Sequence, residues 1–539
     1  MSASNSEDAL KSALRSSVAR GSMMNKEIKG LTLDEVRDAL YTLLPDNPEF
    51  VRKHIIEPFY VSDDDYKKVY KSLAENLEAG LDDTKHHTAT LKMWPSYVRD
   101  LPDGTETGTF LALDFGSHHL KAEVVSLDHG KYEVDSMNGF VPEKILLHGD
   151  GEKLFDYLAN FLHRFLKRSG LLNTTDRLPL GFTFAFPCKR LAINKAILTR
   201  WTKNLHCDGV VGEDVVAMLQ AAIERRGEMN IECVASVNDT VGTLMSGAQE
   251  DPKCAIGVIL SKGVNACYME QLEKVGTWTE KQSDLPNQVV IDTEWSEFGD
   301  DGCLDFFRND YDKMIDENHH KGKAIFEKMI SGQYLGEIVR LVLEKMNDSD
   351  VLFQDHWTKE LGTRNRFYTK YVSEILSEED IRFIHTRKVL EDLHVPLVVE
   401  LECRVIHHIC QIVSTRAATL VAIGIACLLD RINKSEAGIA VDGALYRFHP
   451  LFKDLLNAKI PQFLQTDKKF WLVQSADRSG KGAAMAAAVT ERLHRKNDDS
   501  KQETVQENDK VTEVKNDEEP QNESSTNDES NTPVSEDTK

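Results

Sequence analysis

The chain has no excess of positive charge. Lys and Arg number 65 against 88 Asp and Glu, a formal net charge of −23. A chain this acidic repels phosphodiester backbones and anionic lipid on average, which excludes nucleic acid and membrane surface as principal partners while still allowing a local cationic site for a phosphate. It also lacks any Cys-x-x-Cys pair. Nine cysteines, an odd number, lie in apolar stretches such as Phe186-Pro187-Cys188 and Ala426-Cys427-Leu428, the pattern of reduced thiols in a reducing compartment. No very long apolar run is present either: Ala417 to Leu429 has Thr419 inside it, is too short to span a bilayer, and reads as a buried helix. Met1-Ser2-Ala3-Ser4-Asn5-Ser6-Glu7-Asp8 has neither a basic start nor an apolar core, so no secretory leader is expected and the cytosol is the expected address. The partner is then a small molecule or a protein.

What is present is an ordinary globular composition, 41% hydrophobic and 28% charged over 539 residues. That length holds two or three domains at about 100–200 residues each. Charge is unevenly spread. Residues 497–539 carry fourteen Asp and Glu against four Lys, a net of −10, which leaves −13 for the first 496 residues. That tail has no aromatic, Leu, Ile, Met or Cys, so it cannot bury enough apolar surface to offset chain entropy and is expected to be disordered. It is a solvated appendage, or an interaction segment tunable by phosphorylation at Ser530 or Ser535.

Residues 27–81 have helical spacing, with Leu33, Val36, Leu40, Leu43 and Leu44 on one face and a Thr32/Glu35 capping pair, so an all-helical arm is predicted. Residues 85–109, with Pro95, Pro102 and Gly104, read as an extended connector. Buried strands ending in a polar residue and glycine then recur. Phe110 to Phe115 runs into Gly116-Ser117 and back through Ala122 to Leu127; Ala255 to Leu260 runs into Ser261-Lys262-Gly263; Ile439 to Val441 runs into Asp442-Gly443. Helical stretches alternate with them over 150–169, 212–227, 321–344, 399–433 and 482–495. The recurrence predicts duplicated α/β lobes with a ligand at the strand ends between them.

Two short stretches carry chemistry on their own. Asn238-Asp239-Thr240 follows the apolar run Ile231 to Val237 and precedes small residues, so Asp239 is either part of a helix cap or a cleft carboxylate able to take a proton from a hydroxyl. Gly480-Lys481-Gly482 opens a helix after the strand 470–475 but fits neither a dinucleotide fingerprint nor a P-loop, leaving plain packing or a phosphate at the helix start. His118 and His119 do not read as a metal site, because neighbours on a strand face opposite sides.

Taken together and in order, nine stretches resemble the hexokinase family: Leu180 to Cys188, Trp201-Thr202-Lys203, Asn238-Asp239-Thr240, Asn265 to Glu270, Thr293-Glu294-Trp295 with Phe298 to Cys303, Ser331 to Glu337, Ser414 to Ala418, Val441 to Pro450, and Ser479 to Ala484. The resemblance spans residues 31–495. It implies an α/β protein with the two-lobed, actin-like ATPase fold built on a duplicated ribonuclease H-like unit, in which sugar and ATP meet between the lobes. It implies the boundaries 1–30 for an N-terminal segment, 31–240 for a helical arm with the small lobe, 241–496 for the large lobe with a last helix returning to the small lobe, and 497–539 for the tail.

By the same resemblance, Asp239 is the general base toward the sugar 6-hydroxyl and Lys203 the cation balancing developing charge. Thr202, Asn238, Asn265, Glu294 and Glu337 would hydrogen-bond the other hydroxyls, a pattern that rejects a wrong sugar by leaving buried groups unpaired. Asp114, Gly116, Ser117, Lys121, Lys262, Gly263, Thr369, Gly443, Ala444, Gly480 and Lys481 would line the ATP side. No direct metal ligand is implied, Mg²⁺ being carried on the phosphates near Asp114 and Asp239.

Departures from the family pattern gather on the phosphate side. The family's first loop usually reads Asp-Leu-Gly-Gly-Thr-Asn-Phe-Arg, and here it is Asp114-Phe115-Gly116-Ser117-His118-His119-Leu120-Lys121. Lys262 and Val264 stand for threonines, Ala444 for a serine, and Ala476 and Arg478 fall in a stretch that normally reads acidic residue, Asp, Gly. On the sugar side Ala185 replaces a serine and Asp292 an asparagine. Two functions are therefore expected in competition. One is an ATP-dependent hexose 6-kinase, weaker or altered in nucleotide use, the other a hexokinase-like protein that holds sugar as a sensor or regulator and transfers phosphate poorly or not at all.

Overall fold

A computed structural model describes residues 48–496 except 117–118, 203–204, 280–283, 354–355, 380–381, 397 and 475–479. Expectations for residues 1–47 and for the acidic tail lie outside the described residues. The chain up to Glu491 forms one compact unit, and Arg492 onward belongs to a separate one.

Thirteen strands are described: β1 Trp94–Pro95, β2 Thr107–Phe115, β3 His119–Asp128, β4 Lys131–Phe140, β5 Leu178–Phe184, β6 Cys188–Ala192, β7 Lys195–Leu198, β8 Ile231–Val237, β9 Cys254–Leu260, β10 Val264–Gln271, β11 Gln288–Asp292, β12 Glu436–Asp442 and β13 Lys469–Gln474. They form a five-stranded sheet ordered β4-β3-β2-β5-β8, a six-stranded sheet ordered β1-β11-β10-β9-β12-β13, and the hairpin β6-β7. Leaving out β1, in each large sheet the first three strands in sequence run antiparallel and the last two run parallel to the first. Setting β1 aside as an added edge, both sheets have the order 3-2-1-4-5. The duplication expected from the recurring strand-and-glycine theme is therefore real, and the fold is the two-lobed, actin-like α/β fold.

The strand chemistry explains the pattern. β5, Leu178-Pro179-Leu180-Gly181-Phe182-Thr183-Phe184, is buried at every position, as a parallel strand covered on both faces requires. β4, by contrast, is an edge strand with no fully buried position, which is why its polar sequence gave no strand signal. Each lobe has its own core, one centred on Leu113, Phe155, Leu162 and Phe182, the other on Ile256, Trp295, Val339 and Leu420. The helical arm, grouped with the small lobe by sequence, instead contributes Val69, Leu73 and Leu77 of helix Asp63–Leu81 to the large-lobe core.

Four helices frame the site and its support: α1 Asp239–Glu250, α2 Leu335–Asn347, α3 Glu400–Arg431, and α4 over 480–496. The helix predicted over 321–344 is divided into Ile325–Ile330 and α2 by Ser331-Gly332, because the Gly332 amide donates to Ser261 O at 2.8 Å. α3 exceeds the thirteen-residue apolar run read from sequence. Its 32 residues are long and apolar enough to cross a membrane, yet its apolar window is wholly buried in the protein. It is the central helix of the large lobe, buried without a break from Val405 to Leu429.

α1 starts directly after β8 of the first sheet and packs on β9, β10 and β12 of the second. Glycines permit the close approaches around it. A Cβ on Gly482 of α4 would fall 1.8 Å from Gly242 O of α1, and one on Gly181 of β5 would fall 1.9 Å from Ala483 O. Both obstacles are backbone. Gly482→Ala is therefore expected to destabilise by about 1–3 kcal/mol or more as overpacking, read as a lower urea midpoint with an unchanged denaturant slope.

Candidate active site

β8 delivers Asn238 as the N-cap of α1 and Asp239 as its first residue, at the point where the chain passes between the sheets. Asn238 is buried; its Oδ1 accepts from the Thr240 amide at 3.0 Å and from Thr240 Oγ1 at 3.1 Å. Asp239 Oδ1 also accepts from the Thr240 amide, at 3.0 Å, and Thr243 Oγ1 donates to Asp239 O at 2.9 Å. The helix cap and the cleft carboxylate are thus neighbours. Asn238 makes the cap, and Asp239 is a half-buried carboxylate held at a helix start whose dipole favours its charge.

From the second sheet, antiparallel β10 and β11 bring Asn265 and Asp292 together. Asn265 Nδ2 donates to Asp292 Oδ1 at 2.7 Å, and Asn265 Oδ1 accepts from the Ala266 amide at 2.8 Å. The Thr293 hydroxyl donates to Ala266 O at 2.8 Å, which fixes the turn leading to Glu294. Glu294 is buried and adopts φ 52° and ψ 38°, the left-handed region that a side chain enters at a cost. Burial, with the charges of Asp292, Glu297 and Asp239 around it, pushes the Glu294 carboxyl well above its ordinary range, while Arg200 pulls the other way. Arg200 of the first lobe pairs with Glu297 of the second. Burial likewise raises Asp292, to about 6, against the Arg190 guanidinium; Asp239 raises it further. Asp239, Asp292, Glu294 and Asn265 form one electrostatic cluster spanning the junction.

Other sequence-predicted sugar residues are placed as follows. Thr202 is half-buried, with its carbonyl accepting from the Leu205 amide at 3.2 Å. Glu337, in the first turn of α2, is buried and oriented by Arg340 Nε at 2.9 Å and by the Asn365 amide at 2.6 Å. Thr369 Oγ1 accepts from the neighbouring Gly336 amide at 3.0 Å. Lys203 and Ser117 lie outside the described residues, as do Ala476 and Arg478.

The phosphate side differs from expectation in two lysines. Lys121 and Glu123 share one face of β3, and the Lys121 ammonium is paired with the fully buried Glu123 carboxylate instead of standing free for an anion. Lys481 is fully buried; its Nζ donates to Glu250 Oε1 at 2.6 Å and lies 4.2 Å from the centre of the Tyr132 ring. Both cations are spent internally, which corrects their assignment to the nucleotide. Gly480 is also explained by packing: a Cβ there would fall 2.2 Å from Glu123 Oε2, so a carboxylate of the protein already adjoins this part of α4.

The remaining turns lie at strand ends. Asp114 lies near the end of β2, opposite Lys121 on β3 and Thr183 on β5, and Gly116 follows it. In the second turn Lys262 is exposed, and the Val264 amide beyond Gly263 donates to Glu327 Oε2 at 3.0 Å. Gly443 has φ 116°, and a Cβ there would fall 2.1 Å from Leu260 O, so the Gly443-Ala444 step sits directly against the end of β9. Sequence reasoning missed Arg190 and Arg200. Nothing local marks them, because their partners, Ser236 and Glu297, are 46 and 97 residues away.

Comparisons with known proteins bear on the family of the chain. Two family models, each described as Hexokinase, match residues 51–249 and 255–489. A hexokinase from Schistosoma mansoni is 40% identical over 438 residues, covering 80% of this chain and 96% of that protein. Hexokinase from Brugia malayi is 37% identical over 457 residues, 84% of this chain and 79% of its own. Human Hexokinase-2 is 42% identical over 445 residues, but the match spans only 47% of its length. Among solved structures, the hexokinase from Schistosoma mansoni complexed with glucose superposes with a TM-score of 0.75 at 38% identity, covering 85% of this chain and all of that one.

Proposed function

The chain belongs to the hexokinase family, and on that premise we propose that it transfers the γ-phosphoryl group of ATP to the 6-hydroxyl of glucose or a related hexose. The observation that carries this reading is the position of Asp239. It stands at the start of a helix that leaves one sheet and packs on the other, within electrostatic reach of Asp292 and Glu294. A hexose between the lobes would meet Asn238, Asn265, Glu294, Glu337 and Thr202 around its ring, and present O6 to Asp239. Asp239 would accept the hydroxyl proton as O6 bonds to the γ-phosphorus and the bond to the ADP oxygen breaks, with the Lys203 ammonium balancing charge on the oxygen.

Mg²⁺ would enter with ATP, held by phosphate oxygens and water near Asp114 and Asp239, neutralising the transferring group's charge. On the nucleotide side, Gly116, Ser117, Lys262, Gly263, Thr369, Gly443 and Ala444 remain the proposed contacts. With Lys121 and Lys481 internally paired, exposed Lys262 carries much of the cationic contact. Lys262→Ala is expected to raise KM for ATP by about tenfold and leave KM for glucose near wild type, measured by steady-state kinetics.

The rival expected from the sequence is a catalytically impaired hexokinase-like protein that binds sugar as a sensor. A coupled assay of ADP formation separates them: the kinase forms one ADP per glucose consumed, whereas the impaired sensor binds glucose in calorimetry and forms little or none. Hexose 6-phosphate made this way would feed glycolysis, and the nine free cysteines suit a reducing cytosol.

A further inference from the structure

Resting on the hexose reading of Thr202 and Glu294, we propose that Arg200 is a positioning residue for sugar binding: by pairing with Glu297 across the two lobes it holds the Thr202 segment against the Glu294 turn. Arg200 Nη2 donates to Glu297 Oε1, with the arginine side chain 51% exposed and the carboxylate 18%. The backbone on either side of Arg200 is anchored in its own lobe. The Thr199 amide and hydroxyl donate to Pro187 O at 2.9 and 2.8 Å, Trp201 Nε1 donates to Cys207 O at 2.9 Å, and the Trp201 ring meets Phe186 edge-on at 4.9 Å. Thr202 follows directly, its carbonyl accepting from the Leu205 amide at 3.2 Å.

The other end is as firmly set. Glu297 is the last residue of the short 3-10 helix Trp295–Glu297, for which Glu294 is the N-cap, and its amide donates to Glu294 O at 3.1 Å. Between them Trp295 is fully buried, 6.1 Å from the Phe326 ring and packed so closely on α3 that a Cβ on Gly424 would fall 2.5 Å from it. A constraint on Glu297 therefore passes to Glu294 through a single turn of backbone. Arg200 also favours the ionised form of Glu294, which the charges of Asp292, Glu297 and Asp239 oppose.

The consequence concerns an uncharged ligand. Glucose carries no charge, so direct contacts to it give its affinity little reason to depend on salt, whereas an ion pair open to water weakens as salt rises. Holding the two segments together raises the fraction of molecules ready to take a sugar, and apparent affinity follows that fraction. Glucose affinity thereby inherits the salt dependence of the Arg200–Glu297 pair.

The test is glucose calorimetry on the full chain without nucleotide, in about 0.05 M and about 1 M NaCl. The proteins are wild type, Arg200→Gln, Arg200→Lys, Arg200→Glu, Glu297→Arg and the charge-swapped double variant Arg200→Glu/Glu297→Arg. Wild type should lose about two- to fivefold in affinity at the higher salt, the range an exposed pair commands. Arg200→Gln should show that loss already at low salt and no further loss at high salt, with Arg200→Lys near wild type. The double variant should regain most of what either reversal alone loses. The melting temperature of Arg200→Gln should stay within about two degrees of wild type, which separates misplacement from unfolding. Without ligand, hydrogen exchange at 199–202 and at 293–298 should quicken together in Arg200→Gln and return in the double variant. The same salt dependence in wild type and Arg200→Gln, or a charge swap that recovers nothing, would overturn the positioning role, and unchanged exchange in both segments would overturn the link between them. If wild type takes no glucose at all, the hexose reading fails, while the exchange series still decides whether the pair joins the two segments.

Discussion

Asp239→Ala is expected to lower kcat for glucose phosphorylation by at least about a thousandfold while leaving glucose bound. The asymmetry follows from the geometry. Asn238, not Asp239, makes the side-chain cap of α1 through its two bonds to Thr240, so the helix keeps its start in the variant. What Asp239 adds to folding is one carboxylate at a helix dipole, worth about 0.3–1 kcal/mol. Removing its charge also relieves the crowding that raises Asp292 and Glu294. Glucose affinity should therefore hold or tighten slightly while turnover collapses, which calorimetry and a coupled assay on one preparation would show. Turnover within tenfold of wild type would remove Asp239 from the role of base.

The second large effect concerns stability. Arg416, in the middle of α3, is buried and donates through Nη1 to Asp312 Oδ1 at 2.9 Å and through Nη2 to Asp312 Oδ2, beneath the rings of Phe59 and Phe307. Asp312 Oδ2 also accepts from the Asn309 amide at 2.9 Å, closing the capping box of helix Asp310–Asn318. Asp312→Ala leaves a guanidinium buried with no counter-charge and opens the cap as well. Loss of one partner of such a pair costs about 3–5 kcal/mol. Asp312→Ala should show that loss in urea unfolding, and combining it with Arg416→Met should recover most of it, because the stranded charge is then gone. A double variant no more stable than Asp312→Ala would show that the cost lies in the cap and packing.

Legibility from sequence followed the range of the forces involved. β2, β8, β9 and β12 were readable because buried strands demand continuous apolar runs, and glycines marked the turns after β2, β9 and β12. β4 was not readable, since an edge strand with no fully buried residue can be polar throughout. Asn238 and Asp239 stood out in the sequence because they follow the apolar run of β8, whereas Asn265 entered only through the family resemblance. Lys481 was misassigned because its partner Glu250 is 231 residues away, and no local pattern reports a salt bridge across that separation. The same holds for α2, whose start is set by the contact of Gly332 with Ser261 and not by its own propensity.

The most direct measurement is a crystal structure of the full chain with glucose and a non-hydrolysable ATP analogue. The account places the Asp239 carboxylate at hydrogen-bond distance from O6, about 2.6–3.2 Å, with Asn265 and Glu294 on other hydroxyls of the same ring. A glucose seated elsewhere, or an O6 that meets no carboxylate while the γ-phosphate approaches it, would contradict it.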